Sequence, residues 1–107
     1  MKYAFKQLLN RSYQAIVNRG LITPKTKPYE FIDKINEEVA EVEECLSLEV
    51  SPDEYIDYEI ENKDRYVEEL TDLATVCIMQ IHHLGYDFEK EFEKVVLKNE
   101  RRANEQQ

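Results

Sequence analysis

Apolar residues recur along this chain three and four positions apart, the spacing that gathers them on one side of an α-helix. Phe5, Leu8, Leu9, Ile16 and Val17 mark a first helix, and Gly20 stands where a left-handed C-terminal cap belongs. Pro24 and Pro28 break the loop that follows, and Pro28 suits a first helical turn. Phe31, Ile35, Val39, Val42 and Leu46 form the stripe of a second helix. Ser51, Pro52 and Glu54 read as a capping box that opens a short helix or ordered connection reaching about Ile60. A third, long helix is expected from about Lys63 to Leu84, stopped by Gly85. Asp87 caps a fourth, with Phe88, Phe92, Val95 and Val96 as its apolar face. No β-type alternation and no repeat is read along the chain, and only the final NEQQ looks frayed. The expectation is an all-α fold, a four-helix-type bundle, in a single domain over residues 1–107.

The third helix is apolar on more than one side. Leu70, Leu73, Ala74, Cys77, Ile78 and Ile81 make its main stripe, while Val76 and Met79 lie well round from it. A helix apolar most of the way round is usually covered on several sides, and so short a chain has few helices to do that. A homodimer or a dimer of dimers is expected, with this helix packed against a second copy.

Charge narrows the partners. Charged residues make up 35% of the chain and the formal net charge is −9. No window is basic enough for phosphate-backbone contacts, which argues against nucleic acid. Acidity of this degree points to solubility, a cationic partner or metal ions. The opening MKYAFKQLLNRSYQ is too polar for a signal peptide and no run approaches membrane-spanning length, so a soluble cytoplasmic protein without a membrane partner is expected. Cys45 and Cys77 form no CxxC and read as reduced thiols.

The stretch EEVAEVEE, Glu37 to Glu44, then asks for an explanation, with five glutamates among eight residues. At about 100° per residue, Glu37 and Glu44 point away from the apolar stripe, whereas Glu38 falls on its shoulder and Glu41 on the same flank. Carboxylates three residues apart are neighbours, and at the edge of a core their repulsion costs more than at the surface. The device recurs in EELTD, where Glu69 and Asp72 flank Leu70 and Leu73. Either pair alone reads as a solvated helix face. Two such pairs on long antiparallel helices can bring four carboxylates together, an all-oxygen set suited to Mg²⁺ or Mn²⁺. A ferritin-like di-iron site needs Glu-x-x-His pairs. The only histidines, His82 and His83, fall outside those positions, and His83 reads as a packing residue.

On the fourth helix the inward stripe passes from Phe88, Phe92 and Val95 to Asn99 and Arg102, with Lys98 on its shoulder. The plain reading is a solvated helix end. The functional one is that Lys98, Asn99 and Arg102 face a polyanion, with Arg matching phosphate oxygens as a fork.

Three strings together, KINEEVAE from Lys34 to Glu41, EELTD from Glu68 to Asp72 and KNERR from Lys98 to Arg102, resemble the MazG-like all-α NTP pyrophosphohydrolases. That superfamily includes dimeric dUTPases and phosphoribosyl-ATP pyrophosphohydrolases. The resemblance runs from about Phe31 to Arg102. It implies Mg²⁺ (or Mn²⁺) bound by Glu38, Glu41, Glu69 and Asp72, a dimeric or tetrameric assembly, and hydrolysis of a nucleoside triphosphate to monophosphate and pyrophosphate. It further implies Glu41 as the residue positioning the water, and Lys34, Lys98, Asn99 and Arg102 as contacts to the substrate. The spacer from Val42 to Glu68 is long for such a protein and carries Tyr55 and Tyr58. Tyr3, Phe5 and Tyr13 read as core before they read as a base-stacking surface. Two other readings stand beside this one: a non-catalytic bundle whose acids dock a protein partner, and a relative that binds nucleotides without hydrolysis.

Overall fold

Each helix of this protein begins on a recognisable local device. The computed structural model describes residues 4–50 and 56–105. They form α1 (Phe5–Asn18), α2 (Pro28–Glu43), β1 (Leu46–Val50), β2 (Ile56–Ile60), α3 (Lys63–His83) and α4 (Phe88–Glu105). At the start of α1, Gln7 Oε1 accepts from the Ala4 N–H at 3.0 Å, and at the start of α2, Glu30 Oε2 accepts from the Lys27 N–H at 2.6 Å. Each side chain reaches back from the first turn to an amide that the helix leaves unpaired. Asn62 Oδ1 accepts from Arg65 N–H at 3.1 Å to open α3, and Asp87 Oδ1 accepts from Glu89 N–H at 3.0 Å to open α4.

The C-terminal stops of α1 and α3 repeat one motif. Gly20 (φ 76°) and Gly85 (φ 88°) take the left-handed conformation. The Gly20 N–H donates to Val17 O and the Leu21 N–H to Ile16 O. The Gly85 N–H donates to His82 O and the Tyr86 N–H to Ile81 O. These are paired Schellman bonds, which satisfy the last carbonyls of each helix. Among the described residues no helix is long and apolar enough to cross a membrane.

The predominantly helical expectation holds, with one correction. β1 and β2 pair antiparallel in the register Leu46↔Ile60, Leu48↔Tyr58 and Val50↔Ile56. Their sequences, LSLEV and IDYEI, do alternate with period two. Leu46 also continues the helical spacing of Val42, and that competing period hid the strand. In fact α2 stops at Glu43, and the Glu61 N–H donates to Cys45 O at 3.2 Å, closing the hairpin onto the end of α2. The capping box expected at Ser51 to Glu54 lies outside the described residues.

By its internal contacts the chain divides into two units, Lys25–Cys77 and Met1–Pro24 with Ile78–Gln107. The first holds α2, the hairpin and most of α3, with Arg65 3.6 Å from Glu44. In the second, α1 meets the end of α3 and the start of α4. The Phe5 and Phe88 rings lie 6.0 Å apart, Tyr13 and His82 4.6 Å, and Lys6 pairs with Asp87 at 3.4 Å. Phe5 and Tyr13 therefore make ring contacts within this unit, and Tyr3 lies outside the described residues.

Two apolar stripes face differently from the expectation. On α3 the buried residue is Met79, with Val76 half-buried, while Leu70, Ala74 and Cys77 of the main stripe are exposed. On α4, Phe92, Val95 and Val96 are exposed. Spacing identifies which residues share a face but not which of two apolar faces is covered, and in this chain it is the less obvious side of α3 that is buried.

Candidate metal centre

Phe31 and Glu38 lie on one row of α2, and Cys45, just past the end of the helix, continues their spacing. These residues are seven apart, so at about 100° each they return to the same side of the helix every two turns. They are 5%, 6% and 2% exposed. Pattern alone calls for an aliphatic side chain at the middle position, and the chain puts a carboxylate there. Glu38 is therefore deeper than the shoulder position read from the sequence.

Glu41 follows one turn later and Glu69 projects from α3, both half-buried. A carboxylate oxygen from each of Glu38, Glu41 and Glu69 lies within 4.8 Å of the other two, the one such cluster among the described residues. Lys34, a turn before Glu38, donates from Nζ to Glu38 Oε1 at 3.1 Å and reaches Glu37 Oε2 at 3.4 Å. The bond to Glu38 holds the Lys34 ammonium above the usual lysine range, against a smaller opposing effect of burial, and Glu37 adds to the rise. One half-exposed lysine thus pairs with Glu38 of the three clustered carboxylates. Glu41 is pushed above the ordinary glutamate range, first by its hydrogen bond with Glu69, then by the charge of Glu38 and by burial.

The second oxygens of Glu38 and Glu69 are the telling atoms. Glu38 Oε2 and Glu69 Oε2 are buried without a hydrogen-bond partner. A buried carboxylate oxygen left unpaired is costly, and charges withdrawn from water are normally paired or ligate a metal. The donor set is oxygen only, anionic and convergent, which fits a hard divalent cation. In that fit Glu38, Glu41 and Glu69 are the residues that would hold it.

The remaining sequence-derived candidates fall elsewhere. Asp72, one turn beyond Glu69 on α3, is exposed and outside the cluster of three. Lys98, half-buried, and Asn99 and Arg102, both exposed, lie on α4 in the other unit. His83 Nδ1 is 2.9 Å from Tyr13 Oη, a partly buried contact between α3 and α1. Sequence reasoning missed the lysine's first role. Lys34 precedes Glu38 by four residues, the spacing of a helical ion pair, and that signal was available. Compared with known protein families, with curated proteins and with solved structures, the chain finds no match.

Proposed function

We propose that this protein is a Mg²⁺-dependent nucleoside triphosphate pyrophosphohydrolase of the MazG-like all-α kind, acting on an NTP or dNTP in nucleotide-pool house-cleaning. The observation that carries the reading is Glu38, a glutamate 6% exposed in the middle of an apolar row, with one oxygen unpaired and two further carboxylates beside it. A docking surface for a basic protein needs its acids exposed, and this one is turned inward.

Glu38, Glu41 and Glu69 would hold the cation, with Asp72 joining from the next turn of α3. When bound, Mg²⁺ (or Mn²⁺) supplies positive charge against phosphate oxygens and makes a water more acidic. The protein's own part is proton handling and positioning. Water attacks the α-phosphorus, the bond to the bridging oxygen of the β-phosphate breaks, and the nucleoside monophosphate and pyrophosphate leave. Glu41 would position that water and accept its proton. Lys34 offers a phosphate a half-exposed point charge beside the acids. Lys98, Asn99 and Arg102 on α4 lie in the other unit, and the resemblance alone makes them candidates for contacts to the triphosphate.

Product analysis tests the reading. Incubation with a panel of NTPs and dNTPs in Mg²⁺ is expected to yield pyrophosphate and monophosphate in equal amounts. Inorganic phosphate with diphosphate instead, or binding without any product, would replace hydrolysis at the α-phosphorus by another activity.

A further inference from the structure

We infer that Lys34 is a resident counter-cation that a divalent ion displaces from Glu38, an inference that rests on the metal reading of these acids and adds a competitor to it. The lysine and the metal then hold the same carboxylate in turn. Every group involved belongs to the one unit Lys25–Cys77.

Lys34 stands between an inward and an outward acceptor. Inward, its Nζ is 3.1 Å from Glu38 Oε1, on a side chain 7% exposed. Outward, it is 3.4 Å from Glu37 Oε2, on a side chain 66% exposed. The lysine side chain is itself half-exposed, and its four-carbon stem is flexible. Leaving Glu38 therefore takes only a rotation of that stem, and the ammonium stays with Glu37 and water. Glu38, buried in α2, has no such second position.

The ammonium meets only part of what the acids demand. Glu38, Glu41 and Glu69 bring their carboxylates together, and Lys34 supplies a single positive charge. With that lysine in place, Glu38 Oε2 and Glu69 Oε2 are still buried and unpaired. A divalent cation carries twice the charge and takes several oxygens at once. While Lys34 stays on Glu38, its charge repels the incoming cation and its hydrogen bond draws on a carboxylate that the cation needs. A lysine that merely oriented Glu38 would strengthen metal binding, so the two roles give opposite signs. Exchange also ties stability to affinity. Lys34 supports Glu38 only in the metal-free fold, so the stability that its removal costs there returns as tighter metal binding.

Titration of the EDTA-stripped full chain with Mn²⁺, with the free ion followed by electron paramagnetic resonance, tests the exchange without any turnover. Lys34→Met removes the charge and keeps the stem. It is expected to bind Mn²⁺ several-fold more tightly than wild type while melting lower in EDTA. Lys34→Arg keeps a positive charge and is expected to bind like wild type. Equal binding by wild type and Lys34→Met overturns the exchange and leaves the metal reading standing. Weaker binding by Lys34→Met makes the lysine an orienting group and overturns the exchange, as does equal tightening by Lys34→Arg and Lys34→Met. Absence of binding in all three proteins overturns the metal reading and the exchange together. Should Lys34→Met be unfolded in EDTA, Mn²⁺ is expected to restore its helical circular dichroism. A chain unfolded with and without the ion makes Lys34 structural and overturns the exchange.

Discussion

Glu41 on α2 and Glu69 on α3 each bring a carboxylate oxygen within 4.8 Å of the other, and Glu38 adds a third at the same range. The neighbouring Glu69 carboxyl group, then the charge of Glu38 and burial, raise the Glu41 pKa above the ordinary glutamate range. The folded protein therefore keeps a proton on Glu41 at a pH where the unfolded chain has already lost it.

The sign of the resulting pH dependence follows. Between the ordinary glutamate pKa and the raised value, the native state binds more protons than the unfolded state, so this group makes stability fall as pH rises. Above the raised value its contribution is constant. Melting temperatures of EDTA-treated protein are expected to decline with rising pH through that window, with a shallower decline in Mg²⁺. A rise through the same window in EDTA would contradict a raised Glu41 pKa.

Glu38→Gln and Glu69→Gln remove charge with almost no change of shape. Turnover is expected to fall by about 100-fold or more, because a ligand of the cation is lost. The metal-free melting temperature should stay level or rise slightly, since repulsion is relieved. A large fall in melting temperature would make these acids structural instead.

Asp72→Asn separates a centre of three carboxylates from one of four. Asp72 is exposed, so metal-free stability is expected to be unchanged while the Mg²⁺-induced rise in melting temperature shrinks and turnover is lost. Full activity in this variant would confine the centre to Glu38, Glu41 and Glu69.

Lys34→Ala strips Glu38 Oε1 of its donor. A buried acceptor left unsatisfied costs about 1–3 kcal/mol, and the half-exposed lysine puts the expected loss at the lower end. Saturating Mg²⁺ should restore most of it, because the cation takes over the neutralising role. Chemical denaturation with and without Mg²⁺ gives the comparison, and an equal loss in both would count against a shared role.

Gly85→Ala tests the stop of α3. An added Cβ meets open space, so the cost is conformational alone, about 1–2 kcal/mol for a residue at φ 88°. The melting temperature is expected to drop by a few degrees, and Gly85→Asn by less.

Much of this architecture was legible before any coordinates. Gly20, Pro28, Gly85 and Asp87 act locally, through backbone geometry and one or two hydrogen bonds each, so their sequence context is enough to place helix ends. The hairpin was not read because Leu46 satisfies two periods at once, and which one wins depends on pairing with Ile60, a partner distant in sequence. The same limit applies to the faces of α3. Two apolar sides were visible, yet the covered one, at Met79, is set by neighbours rather than by spacing. For the candidate site, the i, i+3 spacing picked out Glu38, Glu41 and Glu69, which the fold brings together, and Asp72, which lies outside that cluster, and it understated the depth of Glu38. Lys34 also pairs with the glutamate four residues on, a contact that its helical spacing allows.

The activity panel depends on including the right nucleotide; metal binding does not. Calorimetric titration of EDTA-stripped protein with Mn²⁺, wild type beside Glu38→Gln, therefore tests the central claim most directly. The account predicts saturable binding to wild type, weakened by Mg²⁺ competition and lost in the variant. Binding that is absent from wild type at millimolar Mn²⁺, or equal in the two proteins, would contradict it.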